Sequence, residues 1–543
     1  MSRWQRYWFA EGGRHGLALV RIAIALSVLL SLARLATHPH LVAPSGLYRP
    51  VGVWMLGGGA PPPAALVTLL WVLAWAGTAG MVLGLATRVT TVVGFVAGVA
   101  IASLSFSSSV TWSHQYNVVF LAHLALVGSR SGDALSLDAL IRRLRGVPRR
   151  ELARSYQWSL RLVQLAVGLM FVGAVFHKLV HSDFTLRWAL SDNLRHHLLV
   201  KYDLAGLARP PLVDWLVDDV WRYRTAAVLS LVAQLAPLLA IVFVRRPWVR
   251  ALAGACFVTE VIGLGLVVDL WNLHWLPLAA VFVDWDRLIA WTAQRLGRRS
   301  APSPTLVAWR PPRAPQVFII AFVLYDVVTA FIPALDQRLN TYPFSGFPMF
   351  ATLRATPPYD EHHPYVVAGD SYAVTAAKPL EPYAQAWFDH THRHLHRVRD
   401  TARIRAKLGV VLAAAQQRFP WFGITAVRHQ VALFVAPAYP APARFERHPI
   451  AITGELLADG RFRSVLGAWS PQARTVELRP LEVDTTTARL GYYAVAAPVL
   501  HELAATRVGD TFTLAAPLPA DAGYLVAILG DDRWLIASTR AAR

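Results

Sequence analysis

The sequence predicts an all-α polytopic membrane bundle followed by a C-terminal extracytoplasmic domain of α+β or mostly β type. The chain is 55% hydrophobic and only 16% charged over 543 residues, which is too apolar for an ordinary soluble protein of this size. Apolar runs long enough to cross a bilayer recur up to residue 350, and the composition beyond it is that of a soluble domain. We therefore expect a transmembrane domain over residues 1–350 and a soluble extracytoplasmic domain over residues 351–543.

Nine apolar runs are candidate membrane spans, but the fourth and the eighth are short for a crossing. These two are candidates for re-entrant or interfacial segments, so we expect about seven to nine spans. The first run contains Arg21 and no clear cleavage site follows it, so we interpret it as an uncleaved span. The runs cover residues 16–36, 64–86, 89–110, 116–127, 158–179, 225–244, 249–267, 270–283 and 316–334.

Arginine clusters between the runs set the expected orientation. Seven arginines lie in residues 128–157, three in residues 245–250 and six in residues 287–313, and short segments of this kind stay in the cytoplasm. Nine crossings then leave the N-terminus inside and place Lys178 and the distal domain outside, whereas the loss of one span would reverse the side of that domain. The expected localisation is the bacterial inner (cytoplasmic) membrane.

Several function classes have no support in the sequence. The net charge of +20 is not arranged as a basic face interleaved with aromatic residues, so we expect no nucleic-acid partner. The single cysteine, Cys256, excludes a disulfide framework and a cysteine metal site. Without a P-loop, a nucleophile elbow or a dinucleotide-binding fingerprint, nucleotide-driven transport and serine hydrolysis are not supported.

The distal domain is predicted to consist mainly of short strands around one helical region, residues 382–419. Within that region, His390 and His394, and likewise His392 and His396, have a spacing that metal ligands use on a helix. No third ligand is identifiable, so we favour a solvated polar helix and predict no metal. The expected strands are residues 365–368, 371–376, 425–436, 449–456, 475–483, 492–497, 511–514 and 524–528.

Lys178 is the most informative residue of the membrane domain, because the chain has only four lysines among its 53 basic residues. A charge needed merely to anchor a helix end would be arginine by default. Burial can remove the proton of a lysine but not that of an arginine, so Lys178 is a candidate base. The alternative is a side chain that extends to the membrane surface, with His177 and His181 at the helix end.

His114 is a second candidate, in the segment WSHQYN, and the topology places it on the same outer side as Lys178. A histidine there could exchange a proton near neutral pH. The alternative is an interfacial loop in which Trp112 and Tyr116 belong to the aromatic belt.

Charged residues within or beside other spans are further candidates. Glu260 and Asp326 lie inside candidate spans, where carboxylates usually face the protein interior. Each could pair with Arg21 or Arg34, or line a polar cavity. Arg195 lies on a helical segment that we expect at the membrane interface, facing anionic lipid or substrate.

These residues resemble the horizontally transferred transmembrane (HTTM) domain family, whose characterised branch is vitamin K-dependent gamma-carboxylase. The likeness rests on the span that ends in Lys178, on Trp188 after it, and on the helix-like segment SDNLRHHLL that follows. The turns GLATRVT and VRRPWVR also fit, and the resemblance covers about residues 10–350. In the carboxylases the tryptophan follows the lysine more closely, and this chain has no recognisable counterpart of their large lumenal region.

The resemblance implies that Lys178 is the base that deprotonates vitamin K hydroquinone, and that His114 assists. Oxygenation of the quinol would then yield a strong base that removes a gamma proton from glutamate, to which carbon dioxide adds. A reduced quinone is accordingly the expected cofactor. The expected substrate-binding residues are His177, His181, Trp188, Arg195 and Glu260.

We therefore expect a carboxylase-like, quinol-oxygenating lyase that works at the outer leaflet among membrane lipids. The alternative is a non-catalytic membrane scaffold or accessory subunit that binds a partner protein through its C-terminal domain. A carrier of a small lipid-soluble molecule is a third hypothesis, although the sequence shows no inverted repeat.

Overall fold

The helices of the membrane domain alternate with short turns along most of the first 350 residues. The computed structural model describes residues 2–35, 50–57, 61–109, 114–147, 153–203, 208–296, 311–332, 342–344, 349, 359–368, 371–373, 401–418, 423–435, 446–494 and 498–538. Its helices up to residue 331 are α1 (Arg3–Trp8), α2 (Arg14–Leu35), α3 (Ala64–Leu83), α4 (Thr87–Ser109), α5 (Asn117–Leu126), α6 (Leu137–Leu144), α7 (Gln157–Val180), α8 (Arg187–Leu190), α9 (Asn193–Asp203), α10 (Pro211–Val217), α11 (Val220–Val242), α12 (Pro247–Val268), α13 (Trp285–Arg295) and α14 (Arg313–Phe331).

Seven helices of the described chain are long and apolar enough to cross a membrane, namely α2, α3, α4, α7, α11, α12 and α14. They coincide with seven of the nine apolar runs of the sequence, so the prediction of helices that could span a membrane is confirmed at these seven positions. Most of the large side chains on their outer faces are aliphatic or aromatic and exposed, as in α3 and α11. A surface of this kind fits lipid rather than water.

The two short apolar runs form compact elements inside the bundle. Nine of the ten residues of α5 are buried, and the ring of His123 near its end lies 3.0 Å from the carbonyl oxygen of Thr91 near the start of α4. At the other end, Tyr116 packs on Phe106. Helix α5 therefore runs antiparallel to α4 with protein on all sides, which does not suit an interfacial helix.

The second short element is a 3₁₀ helix, Leu273–Phe282. Trp275 at its start donates to the carbonyl oxygen of Gln115, and the carbonyl oxygen of Val281 at its end accepts from Gln164 in α7. A 3₁₀ helix rises about 2 Å per residue, so a short segment covers more distance than an α-helix of equal length.

One end of the bundle gathers the arginine-rich segments. Gly13 donates to the carboxylate of Asp286 at 2.7 Å, and Gln5 contacts Gln316 at the start of α14. Asp138 after α5 accepts hydrogen bonds from the first turn of α4. Arg250 forms an ion pair with Asp284, close to the Asp286 contact. The described parts of the N-terminus and of segments 128–147, 153–157 and 245–250 therefore share this end with the start of α14, and α14 finishes at the opposite end.

Close helix contact depends on glycine in the α3 and α4 hairpin. A Cβ atom on Gly77 would lie 2.6 Å from the backbone nitrogen of Gly94, so neither position tolerates a side chain without movement of the helices. Gly84 ends α3 in the left-handed region with φ of 66°, a common helix C-terminus. Small residues that let helix backbones approach closely are typical of packing within membranes.

The C-terminal domain is built on a β-sheet, which confirms the prediction of a mostly β domain. The described strands are β1 (Tyr359–Ala368), β2 (Ser371–Ala373), β3 (Ile424–Val435), β4 (Glu446–Leu457), β5 (Phe462–Ser470), β6 (Thr475–Leu481), β7 (Arg489–Ala494), β8 (Leu500–Leu503), β9 (Ala505–Val508), β10 (Thr511–Leu514), β11 (Ala522–Leu529) and β12 (Asp532–Ser538). They follow the order β8, β7, β11, β12, β4, β5, β6, β10, β9, with β1, β2 and β3 joined through β4. Helix α15 (Thr401–Arg418) packs on β3 and β4.

Four of these strands, β5, β8, β9 and β12, have no counterpart in the sequence prediction. Strand β12 places Trp534 in the domain core beside Val465 and Phe512, although its alternation of polar and apolar residues is irregular. The histidine stretch 390–396 lies outside the described residues, so its proposed helix is not described.

Candidate functional site

Lys178 points into the protein from the last turn of α7. Its side chain is only 1% exposed, and the Nζ atom donates a 2.8 Å hydrogen bond to Oε1 of Gln234 in α11. The same Nζ lies 4.8 Å from the ring centroid of Trp188, in cation–π geometry. The side chain therefore does not extend to the membrane surface, which was the alternative drawn from the sequence.

Gln234 joins this lysine to a buried carboxylate. Its Nε2 atom donates to Oε1 of Glu260 at 2.6 Å and to the hydroxyl of Ser230 at 3.2 Å. Ser230 in turn donates to the same carboxylate oxygen at 2.9 Å. Lys178, Gln234, Ser230 and Glu260 thus form a continuous hydrogen-bonded group on three helices, α7, α11 and α12.

The polar group lies well within the apolar helices. Glu260 precedes the end of α12 by eight residues, and Gln234 follows the start of α11 by fourteen, which correspond to about 12 and 21 Å along the axes. Gln234 is 2% and Glu260 7% exposed. Burying polar groups at such depth has a high free-energy cost unless they form hydrogen bonds with one another. The hydrogen bonds within this group explain why the fold accommodates it.

A sharp turn after α7 returns the chain to the lysine. Asp183 and Phe184 both have positive φ, 52° and 57°, a conformation that residues other than glycine seldom adopt. The following helix α8 places Trp188 against Ala227 and Leu231 of α11. Trp188 therefore forms an apolar wall over the ammonium, and the resemblance had assigned this residue without the geometry.

His114 and His177 lie close enough to influence each other. His114 occupies a single 3₁₀ turn before α5, and the next residue, Gln115, is held by the side chains of Trp275 and His274 through its carbonyl oxygen. Burial first, and the His177 imidazole second, lower the pKa of His114 to about 4. The lowered pKa favours a neutral His114 imidazole near pH 7, and the proton exchange expected of this residue stays a prediction.

Two other predicted site residues serve the local structure. The Nδ1 atom of His181 lies 2.7 Å from the carbonyl oxygen of His177, so this ring caps its own helix. Arg195 is 3% exposed, and its Nε atom donates to the carbonyl oxygen of Val217 at the end of α10. The expectation that Arg195 faces lipid at the interface is wrong, because α9 packs this side chain inward.

Of the two alternatives for the buried carboxylates, the pairing with Arg21 or Arg34 is not found among the described residues. Arg21 donates to the carbonyl oxygens of Ser131 and Leu135 at 2.6 Å each, and Arg34 donates to that of Trp271 at 2.5 Å. Both arginines therefore bind backbone, and Glu260 binds neutral side chains instead. Asp326 is 3% exposed, and its Oδ2 atom has no hydrogen-bond partner within the described part of the chain.

Gln234 and Ser230 were missed in the sequence. Their one visible signal is the i, i+4 spacing of two polar residues in the part of α11 after Thr225, which is otherwise apolar. A buried amide there is retained only with a partner. The partner itself, on another helix, cannot be read from the sequence. Among the described residues, no group of three or more histidine, cysteine, aspartate or glutamate side chains could hold a metal ion.

Comparison with known proteins identifies no relative of this chain. No family model matches the chain, and neither a curated protein nor a solved structure resembles it significantly.

Proposed function

We propose that this protein is a membrane enzyme in which Lys178 removes a proton from a lipid-soluble hydroxylated substrate, with a reduced naphthoquinone as the leading candidate. The observation that carries the proposal is the buried Lys178 amine, bonded to the neutral amide of Gln234 and covered by Trp188. An apolar wall beside a single basic nitrogen suits an aromatic ring that carries a hydroxyl group. The proposal includes membership of the HTTM type in a bacterial inner membrane.

The neutral amide matters for the role of a base. No salt bridge is formed by Lys178 among the described residues, because Gln234 stands between its amine and the Glu260 carboxylate. A direct ion pair would hold the lysine in its charged form. The interposed amide leaves the nitrogen able to accept a proton, and the carboxylate beyond it compensates the charge that then forms.

The neighbouring residues have supporting roles in this proposal. Trp188 contacts the Lys178 nitrogen through its ring face, where it would stabilise the ammonium formed on proton transfer, and it would also face the substrate ring. Glu260 and Ser230 orient Gln234 so that its oxygen points at Lys178. His114, as a neutral imidazole, can donate one hydrogen bond to a substrate oxygen or accept one from a substrate hydroxyl, so its role is orientation.

The same proposal includes nine membrane passes, counting α5 and the 3₁₀ helix. In support, α5 lies antiparallel to α4, and the 3₁₀ helix reaches from Gln115 at one end to the Asp284 and Arg250 ion pair at the other. If the arginine-rich end is cytoplasmic, Lys178 and the chain after α14 are extracytoplasmic.

The test is conversion of reduced naphthoquinone and O₂ to the epoxide and water by purified protein in nanodiscs. We expect wild-type turnover, with losses of at least about 100-fold in Lys178→Ala and Lys178→Arg, because a general base contributes on that order and arginine cannot act as one. Gln234→Glu should also lose activity, since a carboxylate would pair directly with the amine. Lys201→Arg, at a half-buried lysine of α9, is the matched control and should keep full activity.

Two results would contradict the proposal. Well-folded wild type without epoxide formation would favour the scaffold hypothesis, in which the C-terminal domain binds a partner protein. Equal activity in Lys178→Arg would show that the base lies elsewhere. If epoxide does form, labelled bicarbonate tests whether a glutamate substrate is carboxylated.

A further inference from the structure

A large groove opens on the outside of the bundle, and its lining runs along α12 from Pro247 to Thr259, the residue before Glu260. It has a volume of about 1020 Å³ and lies between α12, the end of the 3₁₀ helix and α13. Ligand sites of small molecules have volumes of roughly 300–1,000 Å³. Its walls are almost entirely apolar, and they include Trp248, Ala255, Val258, Ala279, Leu288 and Trp291.

The groove lies where the bundle would meet the membrane surface. It includes Trp248 at the start of α12 and Trp291 on α13, and these side chains are 63% and 53% exposed. Tryptophan is enriched at the level of lipid headgroups. Helix α13 has apolar residues on one face and charged residues on the other, as interfacial helices do.

The charges at the groove favour an anion. Arg287 lines it, is exposed, and has no ion pair within the described chain. Asp284, the acidic residue of the lining, is already bound to Arg250 at 2.5 Å. The guanidinium of Arg295 lies over the Trp291 ring, 4.9 Å from its centroid, and adds a second positive charge nearby.

We propose that this groove binds a phospholipid with an anionic headgroup. The acyl chain lies along the apolar walls between Val258 and Leu288, and the phosphate contacts Arg287. A bound lipid of this kind would hold α13 against α12. Lys178 and Gln234 do not line this groove, and its headgroup end with Arg287 lies at the arginine-rich end of the bundle.

The experiment is native mass spectrometry of the full chain in detergent, with phosphatidylglycerol and phosphatidylcholine added at equal concentration. We expect preferential retention of phosphatidylglycerol, and a loss of affinity of about five-fold in Arg287→Gln, the size expected for one basic residue at an anionic lipid surface. Arg143→Gln is the matched control. It removes the same charge from exposed helix α6 at the same end, and it should not alter retention.

A second pair of variants tests the walls rather than the charge. Ala255→Phe fills the groove and should abolish retention, whereas Ala65→Phe on the exposed face of α3 should not. Equal retention of the two lipids, or equal effects of Arg287→Gln and Arg143→Gln, would overturn the proposal. So would loss of a protein dimer, rather than of lipid, in Ala255→Phe, because a second copy would then be the occupant.

Discussion

Gln234 separates Lys178 from Glu260 within a chain of hydrogen bonds, accepting from the amine at 2.8 Å and donating to the carboxylate at 2.6 Å. The two charged groups are therefore coupled without direct contact. This arrangement makes Gln234 important for folding as well as for the proposed chemistry, since its loss would leave both groups buried with fewer partners.

Replacement of Gln234 by leucine is expected to destabilise the protein by about 2–4 kcal/mol. The change removes the acceptor of Lys178 and the amide donor of Glu260, and buried charged groups without partners are expensive. Thermal unfolding in detergent measures this loss of stability. Gln164→Leu removes one buried hydrogen bond to Val281 and should cost only about 1 kcal/mol, so equal effects would contradict the linked network.

Asp138 should stabilise the start of α4 in a pH-dependent manner. Burial opposes its ionisation, but hydrogen bonds from Thr87 and Ala86 outweigh burial and hold its pKa below the ordinary value of 3.8. A pKa lowered by folding gives stability that is present above the unfolded value and is lost as pH falls through the folded value.

We therefore expect Asp138→Asn to lower stability by about 0.5–2 kcal/mol at pH 7, the usual range for a helix cap. The difference in melting temperature between the variant and wild type should shrink below about pH 4. Asp214→Asn, at an exposed aspartate of α10, should change stability by less than about 0.5 kcal/mol. A pH-independent difference would contradict the role of the carboxylate.

Lysine should not be able to replace Arg21, although it carries the same positive charge. Its guanidinium is fully buried and binds the carbonyl oxygens of Ser131 and Leu135 with separate nitrogens. A lysine offers one compact ammonium and cannot reproduce this fork. Arg21→Lys should accelerate tryptic cleavage at Arg142 or Arg143, whereas Arg6→Lys at an exposed position should not. Identical cleavage rates would argue against this anchoring role.

Asp326→Leu should stabilise the protein by about 1–3 kcal/mol, since no described residue donates a hydrogen bond to one oxygen of this buried carboxylate. Asp326→Asn should give a smaller gain, because the amide is still polar. Thermal unfolding in detergent measures both. A marked destabilisation by leucine would show that the carboxylate has a structural partner, and a loss of turnover alone would show a functional role.

Much of the membrane domain could be predicted because a helix that lies in lipid has a long apolar sequence of its own. Helix α7 was expected over residues 158–179 and is observed over Gln157–Val180. The strands of the distal domain were harder to predict. Strand β12 forms its core contacts with residues far away in the chain, and its irregular pattern gives no local signal.

The sequence by itself determined the membrane bundle, the mostly β distal domain, and the choice of Lys178 as an unusual residue, because hydropathy and composition are local properties. Only the tertiary structure decided the partners of each polar group. Arg21 could have paired with Glu260, but it binds the backbone of residues 131–135, and Gln234 takes the carboxylate instead. Hydrogen bonding requires a separation of about 3 Å in three dimensions, and spacing along the chain does not fix the distance between helices.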